Sequence, residues 1–179
     1  MSEERIATMD AVLTLNFDKN GKMAADTWIG EYYVDADGRK VKNRWAKIWG
    51  DWYCFSKEGL MRRECWIGDY YVKDDGIMAA DQMVGEYYVD SDGVWVKNTW
   101  VKANGQNYYF GKDGKMTKNR WAEIDGDWYC FNKEGQMRTN CWIGDYYVLE
   151  DGKMAKDQWI GNYYVDADGK WVKGQTKAA

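Results

Sequence analysis

The 179-residue chain contains no histidine and no proline. Without histidine there is no imidazole to relay protons or to ligate a metal. Without proline, every tight turn falls to the 19 glycines and to Asp or Asn side chains. Aliphatic side chains are scarce too: Leu, Ile, Val and Phe together number 28. Such poverty marks disorder only when one sign of charge dominates. Here 25 basic residues face 29 acidic ones, a net charge of −4. That balance provides no basic face, which argues against nucleic acid or an anionic membrane as partner. No stretch approaches the roughly 18 consecutive apolar residues of a membrane helix, so no membrane insertion is expected. The opening MSEERIATMDAV lacks the basic segment and apolar run of a signal peptide. It suits an intracellular protein, or a mature or excised fragment of a secreted one.

What the chain has in excess is aromatic rings: 12 Trp, 14 Tyr and 4 Phe. Any core must therefore be built from Trp, Tyr and Met. These residues recur in register. A glycine returns at Gly21, Gly38, Gly59, Gly76, Gly93, Gly114, Gly135, Gly152 and Gly169, at intervals of 17 or 21 residues. An aromatic run precedes each glycine, and a large apolar residue often follows it, as at Met61, Met116, Met137 and Trp171. A tryptophan opens each unit (Trp28, Trp45, Trp66, Trp100, Trp121, Trp142, Trp159), with Met83 in the one exceptional slot. Self-similarity at this period signifies a repeat architecture.

The long unit reads as a β-hairpin, since RWAEI and DWYCF flank Asp125-Gly126, a strong hairpin-turn signal. The short unit, such as CWIGDYYV, lacks four residues of that hairpin, so its Ile-Gly pair is expected to turn more tightly or the first arm to shrink. One such hairpin is marginal in water. The expected fold is thus all-β, a solenoid of stacked β-hairpins. It comprises an N-terminal extension or cap over 1–12, one partial and eight full repeats over 13–174, and a tail over 175–179. The segment LTLNFDKNG aligns with only the second arm of a unit, which fits either the tail of something larger or an atypical capping unit. Strand alternation puts Tyr53 and Phe55 on one face, always apolar and assigned to the core. Trp52 and Cys54 share the other, assigned to the spaces between units. In short units the Trp52 slot holds Glu31, Asp69, Glu86, Asp145 or Asn162. Unpaired hairpin edges at an open end favour a homodimer.

The cysteines are paired by the repeat. Cys54 and Cys130 replace the second aromatic of a Tyr-Tyr pair, and Cys65 and Cys141 immediately precede the next unit's Trp. The third long unit has Tyr109 and Arg120 at these places, so neither cysteine occurs without the other. This predicts disulfides Cys54–Cys65 and Cys130–Cys141, and with them an oxidising compartment. Reduced buried thiols are the alternative. C-x₁₀-C is not a zinc knuckle. The D-x-D-G turns lack the third ligand and the Glu of a calcium loop, so turn capping accounts for them and no metal site is expected. Carboxylates recur in every short unit rather than forming one dyad, and no nucleophile–base pair or phosphate loop is present. No catalytic residue, no cofactor and no enzyme activity are expected.

RWAKIWGDWYCFSKEGLM, TWVKANGQNYYFGKDGKM and RWAEIDGDWYCFNKEGQM strongly resemble the cell-wall-binding or choline-binding repeats of Gram-positive surface proteins and phage lysins. They are also similar to the glucan-binding repeats of glucosyltransferases and the receptor-binding repeats of clostridial toxins. The resemblance implies a left-handed β-solenoid on an extracellular or bacterial cell-surface protein, with choline or cell-wall carbohydrate bound in aromatic cages between hairpins. Carried over by position, it selects Trp45, Trp52, Met61, Trp66 and Tyr70 for one cage. For a second it selects Trp121, Trp128, Met137, Trp142 and Tyr146. A third joins Trp100 and Tyr108 to Trp121 and Trp128, with Asn107 where the cage Trp belongs. The acids in the short-unit slots imply that most junctions lack a standard cage. The alternatives are a glucan-binding module, a protein- or host-receptor-binding solenoid, and a spacer with all its rings internal.

Overall fold

The computed structural model describes residues 23–175. The expected cap over 1–12, the partial repeat from residue 13 and the last four residues of the tail lie outside them. Among the described residues all regular structure is β: sixteen strands pair antiparallel as eight two-stranded hairpins. Four are short: β1 and β2 (Thr27–Ile29, Tyr32–Val34), β5 and β6 (Cys65–Ile67, Tyr70–Val72), β7 and β8 (Gln82–Val84, Tyr87–Val89), and β13 and β14 (Cys141–Ile143, Tyr146–Val148). A fifth short one, β15 and β16 (Gln158–Ile160, Tyr163–Val165), comes last. The long ones are β3 and β4 (Trp45–Ile48, Asp51–Cys54), β9 and β10 (Thr99–Ala103, Gln106–Phe110), and β11 and β12 (Arg120–Ile124, Asp127–Phe131). The chain divides into two units at Ala80/Asp81. The first holds three described hairpins and the second holds five.

Turn chemistry distinguishes the two lengths. The long hairpins turn through Trp49-Gly50, Asn104-Gly105 and Asp125-Gly126 with both central residues at positive φ, as in a type I′ turn. The short hairpins keep three-residue arms. Their central pair is Gly-X, not Ile-Gly: Gly30 has φ 58° and Glu31 is not left-handed, the pattern of a type II′ turn.

After each hairpin the chain turns sharply and returns along the second strand. At Asp35 the carboxylate accepts the amides of Asp37 and Arg39. Ser56, Asp90, Asn132 and Asp166 cap in the same way. Where that position is Lys73, Gly111 or Leu149, the Asp two residues on (Asp75, Asp113, Asp151) takes over. The returning chain bonds its own hairpin, as Arg62 N to Cys54 O at 2.8 Å. It also bonds the preceding hairpin: Met61 N to Glu31 O, Met78 N to Trp52 O, Met154 N to Trp128 O and Trp171 N to Asp145 O, all at 2.7–2.9 Å. This double attachment makes each unit a solenoid of stacked hairpins.

The stacking explains the recurring glycine. A Cβ on Gly135 would lie 2.2 Å from Met116 Sδ, and one on Gly152 would lie 2.3 Å from Met137 Sδ. The residue after one unit's glycine thus sits on the next unit's glycine, whose positive φ also disfavours a side chain.

The core is a row of one residue per hairpin: Val34, Phe55, Val72, Val89, Phe110, Phe131, Val148 and Val165, each at most 2% exposed. The expected division of faces is only half right. The tyrosines beside this row, Tyr53 among them, are mostly half-buried, and Tyr163 is 48% exposed. On the opposite face, assigned to interstices, Tyr33, Cys54, Tyr88 and Cys130 are buried. The returning chain, hydrogen-bonded to those very residues, covers that face. The four cysteines are thiols in this structure. Burial raises the Cys54 and Cys130 thiol pKa values, with a smaller push from the neighbouring Cys65 and Cys141.

Candidate functional site

Each opening residue sits opposite the second residue of the Tyr-Tyr pair in its own hairpin: Trp28 opposite Tyr33, Trp121 opposite Cys130, Trp142 opposite Tyr147. The rings of Trp28, Trp45, Trp100, Trp121 and Trp142 also meet the next hairpin's first tyrosine. A junction therefore comprises four positions: the opening residue, the Trp52-type slot, the next hairpin's tyrosine, and the large residue after that hairpin's glycine.

Three junctions stand open. At one, Trp121, Trp128, Tyr146 and Met154 line a cavity of about 320 Å³ with Asp168 at its side. Trp121 and Tyr146 have centroids 5.9 Å apart, edge to face. In the first unit the same positions are Trp45, Trp52, Tyr70 and Met78, with Trp45 and Tyr70 at 5.6 Å and Trp52 41% exposed. The third has Trp142, Tyr163 and Trp171 around a cavity of about 230 Å³. Its three centroids are 5.4–6.3 Å apart. Here the slot residue is Asp145, and the ring it fails to provide comes from Trp171, which occupies the methionine position.

Two junctions are closed. Trp28 lies 4.9 Å from Tyr53, and Trp100 lies 4.8 Å from Tyr129. In both, the tryptophan also tilts onto a core phenylalanine, Phe55 or Phe131, at 5.8 Å and 31°. The open junctions face hairpins whose core residue is Val72, Val148 or Val165. Phenylalanine in the row draws the tryptophan onto the core; valine has no ring to hold it, so the indole remains at the junction. Met83 leads a further junction with Glu86 and Met116, beside the buried pair Tyr88 and Tyr108.

The sequence-selected residues distribute accordingly. Trp121, Trp128 and Tyr146 come together, as do Trp45 and Tyr70. Met137 does not join Trp121: it lines the Trp100 junction with Asn107, Tyr129 and Asp151. Met61 packs on the cluster that includes Tyr33 and Phe55, as Trp28 does. Tyr108 is 8% exposed in the core rather than beside Trp100. Trp142 serves the following junction, and Trp66 packs on Tyr71 of its own hairpin. The sequence reading missed Met78, Met154, Trp171 and Asp168. It took each methionine from the same repeat as the opening Trp, whereas the returning chain carries it back by one hairpin. The 26-residue interval shared by Trp52 to Met78, Trp128 to Met154 and Asp145 to Trp171 is the signal that would have found those three.

Acids in the slot are held by bases of the chain itself: Arg63 to Glu31 at 3.4 Å, Lys118 to Glu86 at 2.6 Å, and Lys173 to Asp145 at 4.0 Å. The Lys118 ammonium, by hydrogen bond and charge, holds the Glu86 carboxyl below the usual range. Tyr33 and Tyr88 donate their hydroxyls to Asp26 and Asp81, which open their hairpins at positive φ. Burial, and then that bond to a carboxylate, push both phenols up to about 12. Among the described residues no cluster of three potential ligands is able to hold a metal ion.

Two family models, both described as the choline-binding repeat, match residues 17–40, 60–95 and 136–171, and residues 96–142. The choline-binding domain of CbpL from Streptococcus pneumoniae is 36% identical, with 89% of this chain and 92% of that one aligned at a TM-score of 0.76. The modular autolysin LytC of the same organism, solved with a synthetic peptidoglycan ligand, is 30% identical over 86% of this chain at a TM-score of 0.76. The match spans only 38% of the LytC chain. Choline-binding protein F, in the presence of a tetrasaccharide-pentapeptide peptidoglycan analogue, is 25% identical over 88% of this chain and 60% of its own at 0.67. No curated protein sequence matches the chain.

Proposed function

Since the chain belongs to the choline-binding repeat family, we propose that it is a non-catalytic module that attaches a bacterial surface or secreted protein to the cell wall by gripping choline of teichoic acid. The cavity between Trp121, Trp128, Tyr146 and Met154 carries this reading. A trimethylammonium head has no N–H to donate, so directional acceptors gain little from it. Rings surrounding it gain up to about 2 kcal/mol each when desolvated. Asp168 adds a negative charge at the rim, and the methionine gives a polarizable floor. The Trp45/Trp52/Tyr70 and Trp142/Tyr163/Trp171 junctions offer the same chemistry, making three cages and avidity for a polymer bearing many cholines.

Choline titrated into the protein should quench or shift tryptophan fluorescence with saturation and raise Tm. Trp128→Ala should remove one class of sites. Failure of choline to change either signal would defeat the proposal. Wall glycan is the second reading, supported by the peptidoglycan ligands of the LytC and choline-binding protein F structures. A wall pull-down that free choline does not compete would favour it.

We also propose that in an oxidising compartment Cys54 joins Cys65 and Cys130 joins Cys141. Each pair flanks a cage that retains both tryptophans, so the bridges would brace those two cages. The non-reduced intact mass should then be lower by four hydrogens than the reduced mass; equal masses would dismiss the bridges.

A further inference from the structure

The closed junction at Trp100 differs from its sisters by what it lacks. At three other junctions with an acidic slot residue, the chain supplies its own cation from two residues beyond the large apolar residue. Arg63 follows Met61 and meets Glu31; Lys118 follows Met116 and meets Glu86; Lys173 follows Trp171 and meets Asp145. At the Trp100 junction both partners are gone. The slot is Asn107, and the residue two beyond Met137 is Thr139. A cavity of about 210 Å³ remains, lined by Trp100, Asn107, Tyr129, Met137 and Asp151.

Asp151 forms no ion pair of its own among the described residues, although the Lys153 charge acts on it from nearby. Asp151 uses Oδ1 to accept the Lys153 amide at 3.0 Å, which leaves Oδ2. The Lys153 ammonium is committed to Asp127 at 2.7 Å, and that bond raises the lysine pKa. The lining therefore combines a carboxylate, an amide oxygen and two aromatic rings, whereas the Trp121 cavity has three rings. Trp100 and Tyr129, only 4.8 Å apart, pack more closely on each other than the corresponding rings of the open junctions.

We propose that the Trp100 junction is a second kind of binding site, selective for a small primary alkylammonium group from outside the chain. Such a group has three N–H donors for the Asp151 carboxylate and the Asn107 carbonyl, and its charge rests against the indole. It takes the position that Lys118 occupies by Glu86 in the preceding hairpin pair. The molecule thus contains its own template for the complex. A quaternary ammonium has no N–H to donate to these acceptors and binds here more weakly.

The test uses the whole chain with 15N-labelled tryptophan, at constant ionic strength, titrated with methylammonium or tetramethylammonium chloride. Indole N–H signals are assigned by single Trp→Phe variants. Methylammonium should shift the Trp100 signal with saturation, and tetramethylammonium should shift Trp121 and Trp128 but move Trp100 less. Asp151→Asn should weaken the methylammonium response about fivefold, the scale of an exposed charge interaction. The double variant Asn107→Glu with Thr139→Lys, which restores the self-filled arrangement, should abolish it while the Trp121 and Trp128 shifts persist, showing that the fold is intact. The proposal is overturned if Trp100 ignores methylammonium, if it responds equally to tetramethylammonium, or if either variant leaves the response unchanged. Absence of tetramethylammonium shifts at Trp121 and Trp128 would count against the choline cages and not against this site.

Discussion

At the scale of single residues, one of the long-hairpin turns works against the backbone. The other long hairpins turn on Asn104 and Asp125, residues that tolerate the left-handed region, but the first turns on Trp49 at φ 52°. Trp49 is 72% exposed and its contact is an edge-on approach to Tyr33 at 6.3 Å, so little burial offsets the strain. Trp49→Asn should stabilise the protein by about 1 kcal/mol, read as a rise in Tm. Tyr33 and Tyr88 give a pH signature. Because their folded pKa of about 12 exceeds the unfolded value of about 10, they add stability that is complete below pH 10 and is lost as the pH rises through 12. Titration of tyrosinate absorbance should show two phenols ionising near pH 12, and Tyr33→Phe with Tyr88→Phe should remove that phase and flatten the loss of stability over that window.

Hairpin pairs obey a rule that a single unit does not reveal. The indole is free for a cage where the next core residue is valine, and is taken into the core where it is phenylalanine. Val148→Phe should therefore close the Trp121 cavity and weaken choline there roughly tenfold, a loss of about one ring's contribution. Calorimetry would then count fewer choline sites on a folded protein. The glycine row makes an opposite prediction about stability. Gly135→Ala meets both Met116 Sδ at 2.2 Å and a φ of 83°, and should cost about 2 kcal/mol in denaturant unfolding. The long-hairpin turns were legible in the sequence because Asn-Gly and Asp-Gly specify them locally. The Gly-X turns of the short hairpins were misplaced by one residue, since Ile-Gly and Gly-Glu cannot be told apart without the register.

Over the whole molecule, the repeat period, the all-β fold and the family were legible because they rest on periodicity, which one chain displays in full. The cage composition was legible only in part. Trp121, Trp128 and Tyr146 follow from their own hairpins, whereas Met154 and Trp171 arrive from the returning chain of the next one, a long-range pairing that no local motif encodes. For the same reason the acids of the short units suggested missing cages, although Trp171 restores a ring trio beside Asp145. Ligand occupancy should follow this partition into open and closed junctions. A crystal structure of the chain grown with choline tests it most directly. Trimethylammonium density should lie in the Trp45, Trp121 and Trp142 junctions, with the Trp28 and Trp100 junctions free of it. Choline seated between Trp28 and Tyr53 or between Trp100 and Tyr129, or absent from all three open cages, would contradict it.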